Sequence, residues 1–342
     1  AEFAKHPKGQ LIPGYKSLGE ICETKTARGD GMLRLYYHLL LDLDIAPKIA
    51  LVADREERLF NPKLMNPWQL TNVMLAVEEL GASPILLNPS ARFAPASIIH
   101  PDFQGVQGLL LDPKADWASE AFQVPIQPAT LNTKGFEYSL VLGEEEDRFQ
   151  LTAHFKGFPE FAERWRYMIN EPAEQNRLLK EHFEKTLKGA SIEKTEVLNA
   201  VNPKETVSWR VEGTLEPKGG RQRTIEPFPG MPWPLWVPDS FPKERSLPIV
   251  MPYLQTQTSR SVIKVPKGFQ VRPVRPYQEQ NRFGHVSWSM KQSPSGDENL
   301  AEVTLEVGLN TMFAGPDGYE DLKVFLGWIS DACRRTLIME KV

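Results

Sequence analysis

Three features of this 342-residue sequence predict an α+β protein. Near its start a helical period gives way to short, wholly apolar runs. From about residue 138 the pattern changes to alternating segments of β type, and near the end Tyr319–Leu337 returns apolar residues at helical spacing. The expected order is a helix-and-strand core, then β-rich modules, then a C-terminal helix.

The first helix is read from Asp30, a plausible N-cap, and from Met32, Leu35, Tyr36, Leu39 and Leu43, whose spacings of three and four place one apolar stripe on a helix that should be buried. Pro47 closes it. Ile49–Ala53, Asn72–Val77 and Pro84–Asn88 are apolar runs of strand length, suited to a sheet covered on both faces, with Gly81 supplying a turn.

The wording of this region carries a resemblance. Arg28-Gly-Asp-Gly-Met-Leu-Arg-Leu35, Ile49–Arg55, Asn72-Val-Met74, Asn88-Pro-Ser-Ala-Arg92 and Phe103-Gln-Gly-Val-Gln-Gly-Leu109 together resemble the transglutaminase-like, papain-type core found in large bacterial cell-envelope proteins of unknown function. In active members of that family a Cys opens the helix, a His begins the second strand and an Asp follows the third. The chemistry needs all three: a thiolate activated at a helix N-terminus, a base that takes and returns the proton, and a carboxylate that orients the base. Matched residue by residue, Gly31 stands for the Cys, Asn72 (or Thr71, if the match slips by one) for the His, and Asn88 for the Asp. Glycine carries no nucleophile and an amide is no general base. The resemblance therefore implies a catalytically degenerate core, in which restoring a thiol at Gly31 alone is not expected to restore acyl transfer.

Cys22-Glu-Thr-Lys25 imitates the Cys-x-x-Lys wording of active relatives, which leaves a second reading: a thiol-dependent acyl-transfer enzyme using Cys22. Against it, Arg28–Asp30 separates that thiol from the helix start and from the dipole that would activate it.

Beyond the core, Tyr138–Leu142 and Phe149–Phe155 flank Gly143–Asp147 and read as a hairpin with an acidic, solvated loop; calcium-loop spacing is absent. Two helices meet at Pro172, one with Phe161, Trp165 and Met168 on its apolar face, the other with Leu178, Leu179, Phe183 and Leu187. Strands resume at Ile192–Leu198 and Val207–Leu215. The proline-rich stretch Glu226–Pro238 must run extended, and its rings Phe228, Trp233 and Trp236 are binding candidates or the cover of a seam. Arg245–Pro273 again resembles the envelope family, whose last segment is a small β-sandwich with a turn like Val265-Pro-Lys-Gly268; Phe283–Met290 and Leu300–Leu309 supply further strands. The expected domains are 1–125 (degenerate core), 126–240 (α+β or β-rich, with helices near 160–187) and 241–342 (small β-sandwich with a closing helix).

A net charge of −4 with basic residues scattered among acids gives no phosphate-binding footprint and argues against a nucleic-acid partner. The six histidines and two cysteines show no metal-ligand or disulfide spacing, and no phosphate loop, dinucleotide fingerprint or membrane span is present, so neither metal nor cofactor is expected. The family carries further domains before this core, so the sequence reads as the C-terminal part of a longer chain whose export signal or lipid anchor would precede it. The resemblance alone implies an envelope location, periplasmic or at the outer membrane, and a protein or peptide partner there.

Overall fold

The computed structural model describes residues 16–341, apart from residues 59, 65, 79–83, 90–94, 96–97, 188, 218–221, 236, 238–240 and 296–297. Gly81 and Trp236 thus lie outside the described residues. The chain is α+β and divides into two units, Ala1–Gln127 and Pro128–Val342.

The first unit comprises α1 (Leu18–Thr24), α2 (Gly29–Asp42), β1 (Lys48–Val52), β2 (Asn72–Val77), β3 (Ile85–Leu87), β4 (Gln107–Asp112) and β5 (Ala118–Gln123). The strands form one antiparallel sheet in the order β3-β2-β1-β4-β5. Ala50, Val52, Met74, Ala76, Leu86 and Leu110 line one face and pack with Ile99, Phe103, Val106 and Val124. A reciprocal pair of buried glutamines pins that covering loop: Gln104 Nε2 donates to Ile99 O (2.9 Å), Ile99 N to Gln127 Oε1 (3.0 Å) and Gln127 N to Gln104 Oε1 (3.0 Å). Gly108 is required because a Cβ there would lie 2.4 Å from Leu51 O. The wording Phe103–Leu109 is therefore explained by packing.

Two expectations about α2 are corrected. Its N-cap is Arg28, and Asp30 sits inside the first turn, where a carboxylate complements the helix dipole. The stripe expected to be buried is largely outside, with Tyr36, Leu39 and Leu43 at 42%, 48% and 69% exposure, while Gly31 and Leu33 are buried. Leu33, Tyr37, Leu40 and Leu41 make the helix apolar nearly all round, so spacing alone cannot select the buried side.

The second unit comprises β6 (Thr133–Val141), β7 (Asp147–Lys156), α3 (Phe158–Tyr167), α4 (Pro172–Thr186), β8 (Ala190–Leu198), β9 (Ser208–Leu215), β10 (Gln222–Ile225), β11 (Ile249–Val250), β12 (Gln255–Val265), β13 (Phe269–Val271), β14 (Tyr277–Asn281), β15 (Gly284–Ser295), β16 (Glu298–Leu309), β17 (Phe313–Ala314), α5 (Tyr319–Cys333) and β18 (Leu337–Lys341). Eight strands join in the order β14-β15-β16-β12-β6-β7-β9-β8. Every neighbouring pair is antiparallel except β6 and β12, which run parallel from Thr133↔Thr256 to Val141↔Lys264. The expected boundary at 240/241 thus falls inside one sheet. The separate β-sandwich expected for 241–342 is a correction: β12, β14, β15 and β16 complete this sheet, with helix α5 against β14 and β15, while β11 pairs with β17 in a two-stranded sheet and β13 with β18 and β10 in a three-stranded one. Cys333 ends α5 four residues before the expected end at Leu337: residues 334–336 leave the helix, and Leu337 opens β18, which pairs with β10 and β13.

Alternation divides the large sheet into two faces. Phe136, Tyr138, Leu140, Leu151, Val211, Ile263, Val303, Leu305, Val307 and Trp288 point inward and meet Leu179, Phe183 and Leu187 of α4 and its C-cap, and Leu322, Phe325 and Ile329 of α5. The opposite face is polar, with Arg260 Nε 2.9 Å from Glu302 Oε1 and Gln150 Nε2 donating to Glu212 (2.9 Å). The acidic hairpin loop is anchored from within: buried Arg223 grips both oxygens of Asp147 at 2.6 Å, while Glu144, Glu145 and Glu146 face solvent.

Candidate functional site

The register brings two of the three matched triad positions together. Asn72 opens β2, and Asn88 lies one residue beyond β3, which pairs with β2 from Leu75↔Leu87 to Val77↔Ile85. Both therefore sit at one end of the sheet on adjacent strands. By alternation both share the face of Met74, Ala76 and Leu86, whose apolar cluster contains no residue of α1 or α2. Helix α2 lies against β2. Since that cluster occupies one face, the helix belongs to the other, where Ile49 and Leu75 are buried and where Thr71 would point.

Gly31 lies in the first turn of α2. A Cβ built on it meets Ile21 Cδ1 at 3.1 Å and Ala27 Cβ at 3.2 Å, and no other described residue outside its own helix and chain neighbours comes within 4 Å. Ile21 is presented by α1, whose start is fixed by a capping box: Glu20 N donates to Ser17 Oγ (3.2 Å) and Ser17 N to Glu20 Oε2 (2.6 Å). The same short helix that turns Ile21 onto Gly31 turns Cys22 outward, where the thiol is exposed. Among the described residues no His, Lys or carboxylate hydrogen-bonds to it.

A cavity of about 260 Å³ opens at this helix start, lined by Lys16, Ile21, Thr26, Ala27, Arg28, Asp30 and Gly31. Its charges are of both signs, and Lys16 Nζ is already engaged with Thr24 Oγ1 (2.9 Å). The lining can meet a polar ligand with charges of both signs, and it contains neither a cysteine nor a histidine.

Of the two aromatic candidates among the described residues, Phe228 is absorbed by packing and Trp233 is not. Phe228 is buried edge-on to Tyr138, with ring centroids 5.8 Å apart. Proline lacks an N–H, so the strap's carbonyls depend on outside donors, and β12 provides them: Gln255 Nε2 donates to Pro234 O (2.7 Å) and Gln257 Nε2 to Pro232 O (3.0 Å). Trp233 is exposed on one side and shared with Arg334, whose guanidinium carbon lies 5.3 Å from its ring centroid. These glutamines were missed by sequence reading, which has no signal for an acceptor-only partner elsewhere in the chain.

Burial raises the Cys333 thiol to about 12, which makes it a poor nucleophile. His100 pairs with Asp102 (3.1 Å) and His285 with Glu306 (2.9 Å). No group of three His, Cys, Asp or Glu side chains among the described residues could hold a metal ion. No described helix is long and apolar enough to cross a membrane, which says nothing of a β-barrel.

A family model described as a domain of unknown function, DUF3858, matches residues 225–339, from the end of β10 into β18. A crystal structure from Parabacteroides distasonis, described as a "putative protease", aligns with 98% of this chain and 48% of its own length, at 10% identity and a TM-score of 0.48. This chain thus spans about half the length of that protein. No curated protein matches the chain.

Proposed function

We propose that this chain is a non-catalytic binding or assembly component of a bacterial cell envelope, built on a transglutaminase-like core that lacks its triad. The observation that carries the reading is Gly31: the residue matched to the nucleophile has no side chain, and the space a Cβ would enter is bounded by Ile21 and Ala27. Asn72 and Asn88, matched to the base and its orienter, carry amides that neither accept a catalytic proton near neutral pH nor orient an imidazole as a carboxylate does. The cavity at the start of α2 supports binding of an extended peptide without its cleavage. The envelope location rests on the family resemblance of the sequence.

The test is purification of the tagged full-length protein from its native envelope in mild detergent, read by native mass spectrometry. A partner in fixed stoichiometry, lost when Thr26 at the cavity rim is replaced by Trp, is the expected result. Recovery as a lone species, or a partner unaffected by Thr26→Trp, would count against the cavity as the binding site.

A further inference from the structure

Helix α3 is docked with its polar side inward. Its buried positions are Pro159, Glu163, Arg164 and Tyr167, whereas Trp165 and Ile169, just past the helix, are 56% and 78% exposed. Of the apolar face expected from Phe161, Trp165 and Met168, Trp165 is exposed and the other two are half-buried. Charged side chains therefore share the buried side of the helix with Pro159 and Tyr167, whose ring meets Trp209 edge-on. Arg164 is well satisfied: it donates to Glu160 Oε1 (2.7 Å), Asn199 O (2.6 Å), Asn202 O (2.8 Å) and Glu205 O.

Glu163 is not so well provided. Its hydrogen bond comes from Arg166 Nη1 at 3.2 Å, a guanidinium that is itself more than half exposed. Within the layer between helix and sheet it acts on Lys134 of β6, Tyr253 just before β12 and Tyr167 of its own helix. Lys134 shares the inward row of Phe136 and Tyr138, opposite Phe155 and Gln257. A carboxylate thus lies under the helix with its nearest cation turned toward solvent.

We propose that α3 is a proton-responsive element whose docking on the sheet tightens when Glu163 takes up a proton. Burial raises the Glu163 carboxyl to about 7, against the pull of Arg166 and Lys134. In the unfolded chain the group titrates near 4.5, so the docked helix binds the extra proton between these values. Stability from this group therefore rises as pH falls through 7 and is complete below 4.5. Two neighbours carry different signs or windows. Burial lowers Lys134 from 10.5, so its contribution is lost as pH falls below that value and acts against the gain from Glu163. Burial and Arg166 lower His182 of α4 from 6.5, so its contribution is lost in acid and opposes the gain only below that value.

Hydrogen exchange of the full chain, followed by mass spectrometry and corrected for intrinsic rates, reads this directly in peptides covering α3. Between about pH 8 and 6.5, linkage gives the wild-type helix roughly fourfold greater protection. In Glu163→Gln the protection is expected to be high already at pH 8 and flat, and His182→Asn is expected to keep the wild-type gain. Equal pH dependence in wild type and Glu163→Gln, or none in the wild type, would overturn the proposal. If Glu163→Gln disturbs folding, as shown by its far-ultraviolet circular dichroism, the wild-type and His182→Asn profiles decide: a gain that disappears in His182→Asn belongs to the histidine and refutes the role of Glu163.

Discussion

Arg164→Ala is expected to destabilise the second unit by about 3–5 kcal/mol, measured as a lower urea midpoint at unchanged m-value. The guanidinium is 2% exposed and joins α3 to the β8–β9 loop through the carbonyls of Asn199, Asn202 and Glu205. Truncation leaves Glu160 without its charge partner and those acceptors without donors, the costly direction of breaking a buried network. Arg164→Lys is expected to recover only part of the loss, since one ammonium cannot reproduce the planar fork that reaches Glu160 and the loop together. A change under 1 kcal/mol for Arg164→Ala would mean that water replaces the guanidinium freely and that the loop is held by other contacts.

Trp288→Ala is expected to have an effect of similar size, about 3–5 kcal/mol, because the indole is 1% exposed in the middle of β15, opposite Leu305 on one side and Tyr277 on the other. The ring also carries the Arg335 guanidinium, 4.7 Å from its centroid, with Tyr277 at 5.0 Å on the same cation. Trp288→Phe keeps a ring for that cation and removes a buried N–H that has no hydrogen-bond partner among the described residues, so its cost should be much smaller. Equal losses for the two variants would show that the site requires the whole indole and that a retained smaller ring contributes nothing.

The parts of this fold legible in the sequence are those set by local periodicity. Ile49–Ala53, Asn72–Val77 and the 138–155 hairpin form strands where their apolar runs place them, and Leu179, Phe183 and Leu187 are buried as the helical spacing implies. The failures have specific causes. In α3, Pro159, Glu163, Arg164 and Tyr167 share a face that no hydrophobicity rule would choose, because what holds it is a set of carbonyls 35 or more residues away. Parallel pairing of β6 with β12 depends on contacts distant in sequence, and nothing in either strand names its partner. In the candidate site, the glycine matched to the nucleophile position is read directly from the sequence, whereas its confinement by Ile21 depends on how α1 and α2 meet. The faces of Asn72 and Asn88 follow from alternation once the register is known, and the register is not written locally.

The central claim, that this core carries no activated nucleophile, is tested most directly on Cys22. Iodoacetamide alkylation of the full chain, quantified per cysteine by peptide mass spectrometry from about pH 5.5 to 8, should modify Cys22 no faster than free cysteine at every pH, and the half-buried Cys333, whose thiol burial raises, more slowly than Cys22. Rapid, stoichiometric alkylation of Cys22 at mildly acidic pH, well ahead of free cysteine, would contradict the account and make this exposed thiol the nucleophile of an acyl-transfer enzyme.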